Sequence, residues 1–197
     1  ATRPPRHAVR VRVARPLARH LSPPPVAMSH AGDAAATGGE GGAADAGEAD
    51  EYVLQAQALR ENGNAAFKDG DMQLAVTYYT QGIGINPDDP LLYSNRAAAY
   101  LKIGYKSKSL YDAEKLMELR PEWTKSFSRL GAAQHALGRF DAALDTFTQG
   151  LAMDPLNRAL REGKKAAEEA AERERTARHA AAQREREAEE QRRGAGA

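Results

Sequence analysis

Five cationic and amide side chains recur at helical spacing in the middle of this chain of 197 residues. Arg60 and Asn64 are four residues apart, and so are Lys125 and Arg129, so each pair shares one face of a helix. Asn95 lies between the two pairs, and none of the five residues is acidic. A hydrogen bond that involves a charged group contributes about 1.5–3 kcal/mol. Five such donors, if they converge, could hold a short anionic peptide by its carboxylates.

Residues that would serve catalysis or metal binding are sparse. The chain contains no cysteine, which excludes disulfide bonds, thiolate metal ligands and a cysteine nucleophile. Its 5 histidines include no pair at metal-ligand spacing, and we find no nucleotide-binding loop and no nucleophile–base pair. We therefore predict a protein that is not an enzyme and that uses no metal and no cofactor.

The charges nearly balance, with 28 basic and 27 acidic residues and a net charge of +1. This balance gives no reason to expect binding to nucleic acid over the whole surface. No window approaches about 18 consecutive apolar residues, so we predict no transmembrane helix and no direct insertion into a membrane.

One hydrophobic core is predicted within residues 52–160. All 12 aromatic residues lie between Tyr52 and Phe147, and beyond Asn157 the only large aliphatic residue is Leu160. A segment of this length suits a single domain.

This core segment repeats with a period of 34 residues, which is the separation of Pro87, Pro121 and Pro155. The repeats cover residues 56–89, 90–123 and 124–157. Small residues recur at the eighth position, and glycines recur between the two halves of each repeat: Gly63, Ala97 and Gly131; Gly70, Gly104 and Gly138. The pattern predicts two antiparallel helices per repeat that approach closely at the small residues. Each glycine supplies the left-handed residue that ends a helix.

The repeat resembles the tetratricopeptide repeat (TPR), most clearly at Phe127, Leu130, Gly131, Phe147 and Pro155 of the third unit. The second unit departs from the pattern at Ser109 and Ala113, which are small enough to pack. The resemblance implies an all-α fold: a superhelix of six helices in three antiparallel pairs. The first helix of each pair would line a concave groove. A seventh helix from Asn157 would cap the third repeat.

Any one of the five donors could be an ordinary solvated residue, but as a set they resemble the two-carboxylate clamp of TPR co-chaperones. Arg60 stands where that family more often has lysine, and its planar fork differs in geometry from an ammonium group. The sequence segments around these donors resemble the first TPR module of the Hop/Sti1 family of Hsp70–Hsp90 organising proteins. These segments are residues 63–67, 92–98 and 120–125.

The resemblance implies binding of the C-terminal Glu-Glu-Val-Asp tail of Hsp70, of Hsp90 or of both, by a monomer in the cytoplasm. It further implies contacts from Phe67, Ala98 and Lys102 to the upstream part of the peptide. Three alternatives stay open: an enzyme fragment that carries a prolyl isomerase or phosphatase elsewhere, an organelle import receptor, and a general interaction scaffold.

The segments outside the repeats have distinct compositions. Residues 1–27 are rich in Arg and Pro, and we expect disordered upstream sequence or, alternatively, a targeting peptide. Residues 28–51 suggest a flexible acidic linker that precedes a TPR domain at 52–157. Residues 158–193 predict a long charged helix with Glu–Arg pairs four residues apart, and residues 194–197 should be disordered.

Overall fold

The computed structural model describes residues 42–195, and side chains from residue 50 onward. Within that range the chain is all-α, as predicted, and contains no β-strand. Its helices in chain order are α1 (Gly42–Lys68), α2 (Met72–Ile85), α3 (Pro90–Lys102), α4 (Lys106–Leu119), α5 (Thr124–Ala136), α6 (Phe140–Met153) and α7 (Arg158–Ala195). The expectations for residues 1–27 and 28–41 lie outside the described residues.

Two helix boundaries differ from the sequence-based expectation. Helix α1 begins at Gly42 and therefore includes residues 42–51, which we had assigned to the flexible linker. Helix α7 runs to Ala195, two residues beyond the predicted end. The α1 extension is rich in Ala and Glu, which are good helix formers, and both extensions continue a helix that is already nucleated.

Each helix packs against the next along the chain, which confirms the three helix pairs and the superhelical stack. Helix α3 also contacts both α1 and α5, so the first helices of the three repeats lie side by side and form one surface. The turn glycines adopt the left-handed conformation, with φ of 86° at Gly70, 81° at Gly104 and 76° at Gly138. Asp71 caps α2 by accepting a hydrogen bond from the Leu74 N–H at 3.0 Å.

Small residues bring the paired helices together where the repeat predicts. At Gly131 of α5, an added Cβ atom would lie 2.6 Å from the nearest ring carbon of Phe147 on α6. Phe147 is buried, so its ring has little room to move. In the second repeat Ala97 and Ala113 are both fully buried, and the Ser109 hydroxyl links the two helices by donating to the Ala97 carbonyl at 2.9 Å.

Gly131→Ala should therefore destabilise the fold by about 1–3 kcal/mol, since overpacking outweighs the gain of about 1 kcal/mol in helix propensity. Gly84→Ala is the matched control, because Gly84 is also helical and an added Cβ there meets nothing within 4 Å. Urea unfolding of the two variants checks this. Equal midpoints would show that the close approach at Gly131 does not constrain the fold.

Helix α7 caps the third repeat with its first turns only. Leu160, Ala167 and Ala171 are buried, and the first two belong to one core cluster with Phe127 and Phe147. Beyond Ala171 nearly every side chain is exposed. The predicted pairs form on the solvated part: Glu169–Arg173 at 3.2 Å, Glu174–Arg178 at 2.5 Å and Glu189–Arg193 at 2.6 Å. None of the helices in the described part of the chain has the length and apolar character needed to cross a membrane.

Candidate peptide-binding site

Two of the predicted donors, Asn64 of α1 and Asn95 of α3, are joined directly. The Asn64 Oδ1 atom accepts hydrogen bonds from Asn95 Nδ2 at 2.8 Å and from the Tyr79 hydroxyl at 2.9 Å. With its oxygen occupied by two donors, the Asn64 side chain is held in one orientation. Its amino group has no partner among the described residues and is left to donate to a ligand.

A hydrogen bond to the main chain holds Arg129 of α5 against α3. Its Nε donates to the main-chain carbonyl of Ser94 at 3.0 Å, next to Asn95 in the chain. This bond positions the guanidinium beside the two asparagines. Its two terminal amino groups remain for a ligand, because no other partner of Arg129 occurs among the described residues.

Lys125 and Arg129 form a pair of cations without a neutralising carboxylate in residues 50–195. Burial lowers the pKa of Lys125, and the nearby charge of Arg129 lowers it further. Burial also lowers the pKa of Arg129. The Lys125 ammonium lies 5.2 Å from the centre of the Trp123 ring, and this cation–π contact offsets part of the cost of burying the charge. Partly desolvated cations that lie close together favour an anion, which would restore their pKa values.

A cleft of about 220 Å³ contains the joined donors. Its walls include three of the five predicted clamp residues and two of the three secondary residues: Asn64, Asn95 and Arg129; Phe67 and Ala98. Lys68 and Tyr79 complete the lining. Lys125 lies one helical turn before Arg129 on α5 and does not itself line the cleft. Lys102 is exposed at the last residue of α3, one turn beyond Ala98.

The fifth predicted donor, Arg60, is already paired. Its Nη1 donates to Asp89 Oδ2 at 3.0 Å, and both side chains are mostly buried. Arg60 lies on α1 one turn before Asn64 but does not line the cleft. The prediction treated it as a donor free for the ligand, whereas the structure gives it an internal carboxylate partner.

Reasoning from the sequence did not assign a site role to Tyr79 or Asp89. Tyr79 occupies a core position of the repeat that holds Phe147 in the third unit, and only a tyrosine offers a hydroxyl there. That difference between equivalent positions was a usable signal for a polar role. Asp89 immediately precedes Pro90, which in the sequence indicates only a helix cap. Its ion pair with Arg60 depends on how α1 packs against the start of α3.

A larger cleft, of about 620 Å³, lies between the turns that precede α3 and α5. Pro90, Leu91, Pro121 and Trp123 supply most of its apolar wall. It contains none of the predicted donors, so the smaller cleft carries the chemistry that a carboxylate needs.

Comparison with known families agrees with this architecture. The models described as "TPR repeat" and "Tetratricopeptide repeat" match residues 63–104 and 126–159. The chain belongs to the tetratricopeptide-repeat family. Within that family it is similar to Hsp70-Hsp90 organizing protein 2 of Arabidopsis thaliana, at 46% identity over 106 residues. That match covers 54% of this chain but only 19% of the relative.

Two solved structures combine a similar fold with a bound chaperone peptide. The first TPR of Spaghetti (RPAP3), bound to the HSP90 peptide SRMEEVD, is 30% identical with a TM-score of 0.57, covering 60% of this chain and 94% of that one. The second TPR domain of human RPAP3, in complex with the HSP70 peptide SGPTIEEVD, is 31% identical with a TM-score of 0.57, covering 59% and 98%.

A carboxylate-terminated peptide should bind this cleft less tightly as the pH rises toward 10.5. Lys125 has a pKa below that ordinary value in the free protein, and a bound carboxylate would raise it again. Binding then takes up a proton between the two pKa values and weakens as the pH rises through that window. In the variant Lys125→Arg, the arginine stays charged over this pH range. The affinity of the variant for the peptide, measured by fluorescence anisotropy, should therefore not change with pH. An equal decline in both proteins would assign the effect to another group.

Proposed function

We propose that this chain is a non-catalytic co-chaperone module that binds the C-terminal Glu-Glu-Val-Asp tail of Hsp70, of Hsp90 or of both. The observation that carries the proposal is the arrangement of Asn64, Asn95, Lys125 and Arg129, four donors on three adjacent helices. Two of them are partly desolvated cations that have no carboxylate partner among residues 50–195. Both peptides in the related structures end in this type of sequence.

The donors divide between the two carboxylates of a terminal aspartate. The amino groups of Asn64 and Asn95 and the guanidinium of Arg129 surround the cleft and receive one carboxylate. Lys125, one turn from Arg129, receives the other. Charge-assisted hydrogen bonds of this kind are short and directional, so they fix the position of the peptide's C-terminus.

The secondary residues extend the site upstream of the terminus. Phe67 and Ala98 line the same cleft and offer apolar surface to the valine side chain. Lys102 is exposed one turn further along α3, where its ammonium can reach an upstream glutamate. Because Lys102 is exposed, its contribution to affinity should be small and sensitive to salt.

The proposal is tested with labelled SGPTIEEVD and SRMEEVD, each as the free acid and as the C-terminal amide, titrated with the full chain. The free acids should bind, and amidation, which removes one carboxylate charge, should weaken binding by about 10–100-fold. Raising the salt concentration should weaken the free acids more than the amides. Equal binding of acid and amide would exclude a carboxylate clamp, and the tighter of the two acids names the preferred chaperone.

We place this activity in the cytosol and in a monomer, in keeping with the resemblance to the organising proteins. A fluorescent fusion of residues 1–40 that stays diffuse supports the location, and delivery of that fusion to an organelle would contradict it. Light scattering during gel filtration at several protein concentrations tests the monomer.

A further inference from the structure

Asp89 immediately precedes α3 and makes two contacts at once. Its Oδ1 accepts a hydrogen bond from the Leu91 N–H at 2.8 Å, which caps α3. Its Oδ2 accepts from Arg60 Nη1 at 3.0 Å, which links α1 to the start of α3. The side chains of Arg60 and Asp89 are 20% and 13% exposed, so solvent screens their attraction only in part.

This ion pair distinguishes Arg60 from the other proposed donors. Among the described residues, Arg60 is the one member of the set of five with a carboxylate within ion-pair distance; Lys125 and Arg129 have none. An incoming carboxylate that approached Arg60 would also approach Asp89. The repulsion between the two carboxylates would offset the attraction to the guanidinium.

We propose that Asp89 is an internal carboxylate that occupies Arg60 and so limits the affinity of this groove for dicarboxylate chain ends. The inference rests on the proposed function and adds a determinant of its strength. The chain then binds with four donors, and Arg60 becomes a fifth only when Asp89 is neutralised or displaced. A tail with more acidic residues near its end competes better for Arg60 than a tail with fewer.

The contact can be broken without removing the helix cap. Asparagine caps helices as well as aspartate does, so Asp89→Asn keeps an oxygen for the Leu91 N–H while it removes the negative charge. Asp88→Asn is the matched control, because Asp88 is an exposed neighbour without a recorded contact to Arg60. Both variants change the net charge equally.

The experiment measures the dissociation constant of SGPTIEEVD for the full chain as wild type, Asp89→Asn, Asp88→Asn and the double variant Arg60→Ala/Asp89→Asn. We expect Asp89→Asn to bind about 3–10-fold more tightly, through one added charge-assisted hydrogen bond that is partly screened. Asp88→Asn should match the wild type. The double variant, in which both members of the pair are neutral, should return to the wild-type value. Urea unfolding confirms that all four fold.

Several results would overturn the inference. Unchanged binding by Asp89→Asn would mean that Asp89 does not limit the affinity, and weaker binding would mean that Asp89 holds Arg60 in place for the ligand. Equal tightening by Asp88→Asn would indicate bulk charge, and a double variant that stays tight would remove Arg60 from the explanation. Whether the wild type prefers the free acid to the amide decides the proposed function, whereas the ratio of Asp89→Asn to wild type decides this inference. The two can therefore fail separately.

Discussion

Replacing Arg129 with alanine should weaken binding of SGPTIEEVD by about 10–100-fold, the equivalent of one charge-assisted hydrogen bond of about 1.5–3 kcal/mol. Arg129 is the one proposed donor that is both cationic and part of the cleft that contains Asn64 and Asn95. Burial already lowers its pKa, so little further desolvation is needed when a carboxylate enters. The loss should appear in the dissociation rate more than in the association rate.

Two matched variants separate the clamp from general effects of charge. Arg173→Ala removes the same charge from the exposed part of α7, where Arg173 pairs with Glu169, and should leave the affinity unchanged. Arg129→Lys keeps the charge but loses the Nε contact to the Ser94 carbonyl and the planar fork, so it should recover only part of the affinity. If Arg129→Ala and Arg173→Ala weaken binding equally, the peptide is held by the overall electrostatic field of the protein and not by contacts in the cleft.

Replacing Arg96 with alanine should destabilise the fold by about 3–5 kcal/mol, because it leaves a buried carboxylate without its partner. Arg96 of α3 donates to both oxygens of Asp112 on α4, each at 2.8 Å, and to the Thr80 hydroxyl at 3.0 Å. The Asp112 side chain is only 1% exposed. Burial raises the pKa of Asp112 even with Arg96 in place.

The same variant should depend on pH in a particular direction. Without Arg96, burial alone acts on Asp112, so its pKa in the folded state rises further above 3.8, the ordinary value for an aspartate. A carboxyl whose pKa is raised by folding destabilises the fold above that pKa, and this cost disappears when the pH falls below 3.8. Part of the lost stability should therefore return as the pH is lowered through this window.

Chemical unfolding measures both effects. Arg178→Ala, which breaks an ion pair on the exposed part of α7, is the control and should leave the midpoint unchanged. The double variant Arg96→Ala/Asp112→Ala should lose less stability than the sum of the two single variants. Losses that simply add, with no pH dependence, would show that Arg96 acts through packing against Tyr93 and Tyr100 and not through its charge.

Much of the fold follows from local rules that operate on single residues. Three glycines at equal spacing require left-handed turns, and each turn occurs where the repeat places it. Gly131 of α5 faces Phe147 of α6, where the absence of a glycine side chain leaves room for the aromatic ring. Tyr105, which is not one of the residues that usually cap helices, stands at the N-cap of α4 and makes no side-chain cap hydrogen bond. These relations depend on residues that are close in sequence or related by the repeat.

The polar contacts of the site were harder to predict because they join residues that no periodic rule relates. Asp89 and Arg60 are 29 residues apart, and their contact depends on the packing of α1 against the start of α3. The hydrogen bond from Tyr79 to Asn64 requires the ring to cross the interface of a helix pair. Helical spacing could group the five donors on one surface, but it could not show that Arg60 has an internal partner.

A pair of two-dimensional NMR titrations of the isotope-labelled chain tests the carboxylate clamp most directly. One uses SGPTIEEVD as the free acid, and the other uses its C-terminal amide. If the clamp exists, the free acid shifts the side-chain amide signals of Asn64 and Asn95 and the backbone signals around Arg129, and the amide shifts them far less. Shifts that are equal for the two peptides, or that fall on the cleft beside Trp123 and leave Asn64 and Asn95 unmoved, would contradict it.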